Sequence, residues 1–231
     1  MPAQAVGAMT DKSRLADAVE HTLLTAFATG TDIDRVCDEA IEYGLGGVCV
    51  HPCWIPRCRA RLGSRGPRLV SVVGFPLGAN TTISKAKEAA QAIHAGADEL
   101  DMVLALWAFK SGDVRAAGDD IRAVVEVADG RPVKVILETG ALNQEEKRRA
   151  ALLAAESGAR YVKTCTGFGP GQASVADVQL LRQALDPSIG IKASGGVRDR
   201  GFARELLLAG ADRLGTSSGV ALVSRLRRKD G

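Results

Sequence analysis

The chain has 231 residues, of which 46% are hydrophobic and 25% charged, with a formal net charge of +3. That is the make-up of one globular domain and excludes a disordered or fibrous chain. The charge is too small and too dispersed for a nucleic-acid partner, since only residues 225–229 are locally basic.

No apolar run approaches the roughly 20 residues of a membrane-spanning helix. Five cysteines without secreted-scaffold spacing point to a reduced, cytoplasmic protein. Residues 1–10 carry neither a charged n-region nor an apolar h-region. They read as a flexible leader, and residues 11–231 as the folded domain.

From there, short apolar runs alternate with longer stretches rich in Ala, Glu, Arg and Leu. Runs at 19–24, 47–51 and 69–75 read as buried strands. An amphipathic helix at 83–95 leads to a strand at 99–103, a helix at 114–128 to a strand at 133–138, and a helix at 144–157 to a strand at 161–164. After a strand at 189–194, a helix at 202–209 leads to the last strand, 213–216. Three helices end in a small residue, glycine and alanine: Ala95-Gly96-Ala97, Ser157-Gly158-Ala159 and Ala209-Gly210-Ala211. Glycine there stops a helix before the next strand. Eight such alternations without a break in composition fit a closed (β/α)8 TIM barrel. A doubly wound open sheet is the rival; chain length and the helix–Gly–Ala–strand rhythm favour the barrel.

In a barrel, alternate strand residues face the lumen, and reactive groups gather at the C-terminal strand ends. With the aliphatic residues assigned to the helix side, Asp101, Lys134, Glu138, Lys163 and Lys192 fall on the lumen parity. Strands six and seven are neighbours, so Lys163 and Lys192 end close together, where each ammonium disfavours protonation of the other. An amine made free in that way attacks carbonyls, and Asp101 is placed to move protons. Taken singly, each lysine reads equally well as snorkelling out of the mouth, or as an ion pair with Glu138 or Asp101.

Ser194-Gly195-Gly196 and Gly215-Thr216-Ser217-Ser218-Gly219 follow the last two strands. Their backbone N–H groups and hydroxyls suit a phosphate, although tight turns alone also require glycine. Gly167-Phe168-Gly169-Pro170-Gly171 reads as a mobile loop or a long turn. Cys49, His51, Cys53 and Cys58 lie within ten residues but match no common zinc spacing, so free thiols and no metal are expected. His21 and His94 read as structural, on a strand flank and a helix surface.

Taken together, these segments resemble the deoxyribose-phosphate aldolase family. The resemblance is carried by Glu20-His21-Thr22-Leu23-Leu24, Val73-Gly74-Phe75-Pro76-Leu77-Gly78 and Glu99-Leu100-Asp101-Met102-Val103. It continues through Lys134-Val135-Ile136-Leu137-Glu138-Thr139, Tyr161-Val162-Lys163-Thr164-Cys165-Thr166-Gly167, Ile191-Lys192-Ala193-Ser194-Gly195-Gly196 and Gly215-Thr216-Ser217-Ser218-Gly219. It runs from about residue 15 to 223 in the family's order.

The resemblance implies that Lys163 forms the Schiff base, Lys192 tunes it and Asp101 relays protons. It implies sugar contacts from Thr22 and Thr166, with Gly167 beside them, and phosphate contacts from Gly195, Gly196, Ser217 and Ser218. The implied reaction is reversible cleavage of 2-deoxy-D-ribose 5-phosphate to acetaldehyde and D-glyceraldehyde 3-phosphate, without metal or organic cofactor. The implied assembly is a homodimer or homotetramer. Thr25-Ala26 stands where the family has Lys-Pro, Ala105 and Trp107 depart after strand four, and His51-Pro52-Cys53-Trp54 departs after strand two. These touch the pocket rim, leaving a lyase on another small sugar phosphate and a non-catalytic sugar-phosphate binder as alternatives.

Overall fold

The computed structural model describes residues 11–224, with side chains described from residue 15. The leader 1–10 and the basic stretch 225–229 lie outside the described residues. Eight parallel strands close on one another in chain order, the first beside the last. They are β1 (Val19–Leu23), β2 (Gly47–Val50), β3 (Arg68–Val73), β4 (Glu99–Val103), β5 (Val133–Ile136), β6 (Tyr161–Lys163), β7 (Gly190–Ser194) and β8 (Arg213–Thr216). The helices around them are α1 (Asp11–Ala18), α2 (Gly30–Glu42), α3 (Ile55–Leu62), α4 (Thr82–His94) and α5 (Leu106–Lys110), followed by α6 (Val114–Val127), α7 (Gln144–Glu156), α8 (Val175–Ala184), α9 (Arg200–Leu208) and α10 (Gly219–Ser224).

The closed sheet decides between the two expected topologies in favour of the TIM barrel. Strand and helix limits differ from the sequence expectation by only a few residues. His51 falls one residue beyond β2 and opens a single 3-10 turn, Pro52–Trp54.

Alternation along the strands divides the apolar residues into two sets. Val48, Val50, Leu69, Val73, Leu100, Met102, Val133, Val135, Val162, Ile191 and Leu214 point outward into one continuous core beneath the helices. Leu24, Cys49, Val70 and Val72 form a separate small cluster on the lumen side, with Phe75 packed on it. The lumen is therefore apolar where β2 and β3 face it.

The three expected glycine stops share one geometry. Gly96, Gly158 and Gly210 take φ of 109°, 94° and 111°, a region L-residues avoid. In each case the following alanine donates to a carbonyl five residues back: Ala97 to Ala92, Ala159 to Ala154 and Ala211 to Leu206, all at 3.0 Å. This is the Schellman closure, which satisfies the last carbonyls of α4, α7 and α9 and turns the chain into β4, β6 and β8. His21 Nε2 donates to the Glu39 carboxylate of α2 (2.7 Å), tying β1 to its helix, and His94 is the last residue of α4.

Candidate active site

The C-terminal strand ends surround a cavity of about 270 Å³. Lys163 lines it, together with Thr22, Thr166, Gly167, Gly195, Gly196 and Ser217. A wider groove of about 710 Å³ opens at the opposite strand ends, but its charged lining residues, Asp17, Arg65 and Arg68, are exposed or half-buried. The first cavity sits over buried titratable groups.

Those groups are held by the strand register. Lys163 pairs directly with Lys192 across β6 and β7, and Asp101 with Lys134 across β4 and β5. Lys163 Nζ and Lys192 Nζ both donate to the same oxygen of Asp101, at 2.8 and 2.6 Å. Lys134 Nζ donates to the other oxygen at 3.0 Å and reaches Glu99 at 2.6 Å. Glu20, on β1, completes the set by pairing with Lys192 and lies 3.5 Å from Lys134. Three lysines and three carboxylates are thus sealed in one network, in which Glu20, Asp101, Lys134 and Lys192 are inaccessible to solvent.

The electrostatics follow from this pairing. Burial raises the Asp101 carboxyl, but Lys134, Lys163 and Lys192 outweigh it and hold it well below the ordinary carboxylate range. Glu20 is likewise raised by burial and more strongly lowered by Lys134 and Lys192. Burial favours a neutral Lys192, yet Asp101 and Glu20 reverse that and push its pKa above that of an ordinary lysine. The expected mutual depression of the two ammoniums is therefore corrected for Lys192. That reading counted the neighbouring cation and left out Glu20, which arrives from 172 residues away. Lys134 is raised in the same manner by Asp101, Glu20 and Glu99, against its burial.

The other expected site residues divide. Thr22 donates its hydroxyl to the Glu20 carbonyl (2.9 Å) and lines the cavity. Thr166 is a wall residue, but its hydroxyl is committed to Glu138 at 2.5 Å. Gly195 and Gly196 adopt φ of 94° and 76°, which lets the backbone itself face the cavity. Ser217 lines the cavity beside them, whereas Ser218 does not, its amide being bonded to the Thr216 hydroxyl at 2.9 Å. Sequence reasoning missed the part played by Glu20 and Glu99; their common parity with Thr22 and Asp101 is the signal that points to them.

The soft ligands are dispersed. Cys49 is in the lumen, Cys58 is buried in α3 and Cys53 is exposed. Among the described residues no group of three His, Cys, Asp or Glu side chains is placed to hold a metal ion. Burial pushes the Cys49 thiol up to about 11, so it stays protonated and unreactive at neutral pH. Native alkylation with iodoacetamide, followed by peptide mass spectrometry, is expected to mark Cys53 and spare the other four. Labelling of Cys49 at the rate of Cys53 would mean that the lumen is open to reagent.

A parallel barrel with an amine lining its mouth, beside a second amine and a shared carboxylate, is an enzyme equipped for carbonyl chemistry. The chain belongs to the DeoC/LacD aldolases: the model of that family, described as DeoC/LacD family aldolase, matches residues 15–224. It is 48% identical over 213 residues to the deoxyribose-phosphate aldolase of Geobacillus sp. (strain WCH70), covering 92% of this chain and 96% of that one. It is 47% identical over 206 residues to the deoxyribose-phosphate aldolase of Thermotoga maritima, covering 89% and 83%. Among solved structures, the tetrameric deoxyribose phosphate aldolase of Aeropyrum pernix superimposes with a TM-score of 0.88 at 32% identity, over 95% of this chain and 94% of the other. Among the described residues no helix is long and apolar enough to cross a membrane.

Proposed function

We propose that this aldolase reversibly cleaves 2-deoxy-D-ribose 5-phosphate to acetaldehyde and D-glyceraldehyde 3-phosphate through an imine on Lys163. The carrying observation is that Lys163 lines the cavity, with its Nζ 2.8 Å from the carboxylate it shares with Lys192. In its neutral form Lys163 attacks C1 of the open-chain sugar, and loss of water leaves a protonated imine. The C3 hydroxyl gives up its proton, the C2–C3 bonding pair moves toward the imine nitrogen, and glyceraldehyde 3-phosphate departs. Protonation of the enamine at C2 and hydrolysis then release acetaldehyde and restore the amine.

Asp101, kept anionic, and Lys192, kept cationic, are assigned the base and acid ends of these transfers, a contribution of about 10²–10⁴-fold. Gly195, Gly196 and Ser217 are assigned to the phosphate and Thr22 to the sugar. Thr166 and Gly167 shape the wall beside Lys163. Binding at the phosphate end orients C3 against the relay. The working form is assigned as a cytoplasmic homodimer or homotetramer, and the reaction as needing no metal.

The test is to supply 2-deoxyribose 5-phosphate with EDTA present and follow glyceraldehyde 3-phosphate through coupled NADH oxidation. Sustained turnover is expected. Retained binding of the sugar phosphate by a folded protein, without turnover, would favour the non-catalytic binder, and turnover of a different sugar phosphate alone would favour the related lyase.

A further inference from the structure

Glu138 is built into the fold in a way the reaction just described does not require. It follows β5 with φ 54° and ψ 62°, in the left-handed region. Asp129 is the one other non-glycine residue with positive φ among the described residues, and it sits exposed in a turn. A long side chain held in that region persists where its surroundings over-determine it, and such strain gathers at functional sites.

The surroundings here are the loop from β6 to α8. Glu138 is only 4% exposed, and its carboxylate accepts the Thr166 hydroxyl at 2.5 Å. That hydroxyl in turn accepts the amides of Phe168 and Gly169, at 3.0 and 3.2 Å. One hydroxyl therefore ties two loop amides to one buried anion. The loop runs hard against it: a Cβ on residue 169 would stand 2.7 Å from Glu138 Oε2.

The tie reaches across the mouth of the barrel. Phe168, held by its amide, meets Phe75 edge to face with ring centroids 5.3 Å apart, and Phe75 meets His51 at 5.8 Å. His51 Nε2 lies 3.0 Å from the carbonyl of Leu24, at the end of β1. Contacts thus pass from the end of β5 through the β6 loop to the ends of β3, β2 and β1. Gly167 and Phe168, the residues so fixed, are cavity walls beside Lys163.

We infer that Glu138 is a positioning residue, whose buried carboxylate latches the 166–171 loop, through Thr166, into the wall of the cavity above Lys163. The inference rests on the imine reading of Lys163 for its catalytic consequence, but the latch can be tested without it. Glu138→Gly removes the carboxylate while suiting the left-handed backbone, and Thr166→Val removes the hydroxyl while keeping the shape.

In both variants, hydrogen exchange at the amides of Phe168 and Gly169 is expected to quicken by about 10-fold or more, as a local opening becomes easier. KM for 2-deoxyribose 5-phosphate should rise about 10-fold, as expected when a binding wall is misplaced. In Glu138→Gly the yield of borohydride-trapped acetaldehyde adduct on Lys163 should stay within about twofold, because the reacting groups are untouched. Thr166→Ser should restore both exchange and KM. Unchanged amide exchange would overturn the latch, and faster exchange with an unchanged KM would overturn the positioning role. A loss of adduct in step with the rise in KM would overturn it too, by placing Glu138 on the reacting atoms. Should the unmodified protein form no acetaldehyde adduct, the imine reading fails, and amide exchange alone still decides the latch.

Discussion

Lys163→Leu is expected to leave a folded barrel that gives no adduct with substrate and borohydride. Its turnover of 2-deoxyribose 5-phosphate should fall by about 10⁴-fold or more, the scale seen when a covalent nucleophile is removed. The effect is this large because neither of the other lysines can take over. Lys192 is inaccessible and held as an ammonium by Asp101 and Glu20. Lys134 is also sealed, against Glu99 and Asp101. Of the three, only Lys163 lines the cavity. Intact-mass and peptide analysis after reduction reads the outcome directly. An adduct that persists in the variant, on the Lys192 peptide, would move the nucleophile to β7.

The second large effect is on stability. Lys134→Met leaves the three carboxylates of Glu20, Glu99 and Asp101 with Lys163 and Lys192 inside the barrel and Arg68 3.9 Å from Glu99 at its edge. Removing one partner of a buried ionic set costs about 3–5 kcal/mol, because the uncompensated charge stays in low dielectric. Urea unfolding of the two proteins measures it; a loss below 1 kcal/mol would mean that water enters the lumen and screens the network.

The pH dependence has a defined sign. Asp101 and Glu20 have pKa values below their unfolded ones, about 3.9 and 4.3. Their contribution is therefore present above those values and is lost as pH falls through the folded pKa values. Lys134 and Lys192 are raised, so theirs is present below about 10.4 and is lost as pH rises through their folded values. Stability should be level between roughly pH 5 and 9. Since Lys134 is the strongest attraction lowering both Asp101 and Glu20, the acid limb of Lys134→Met should begin at higher pH.

Much of this was legible in the sequence, for a local reason. Strand alternation places Asp101, Lys134, Lys163 and Lys192 on one parity, and parity is a property of adjacent residues. The Schellman glycines are equally local. What escaped has its cause elsewhere in the chain. Glu20 meets Lys192 only because β1 closes against β8, and it joins Asp101 in reversing the sign expected for the pKa of Lys192. The left-handed turn at Glu138 cannot be read from a residue type that ordinarily avoids it, and it diverts the Thr166 hydroxyl from the cavity to the loop. Ser218 shares the motif of Ser217, and its amide is bonded to the Thr216 hydroxyl. Pattern identifies which residues face inward; closure of the barrel decides what they meet there.

The order of the buried charges along the chain has a consequence for assembly. Glu20, Glu99 and Asp101 all belong to β1 and β4, and Lys134, Lys163 and Lys192 all belong to β5, β6 and β7. Apart from Arg68 of β3, whose Nε lies 3.9 Å from Glu99, the first four strands bring anions to the network and the last four bring cations. Two copies of either half, docked lumen to lumen, would confront like charges in a dry interior. A first half joined to a second half sets the three lysines against the three carboxylates. The division of sign between the halves therefore favours closure of each half-barrel on its complement over pairing with its own duplicate.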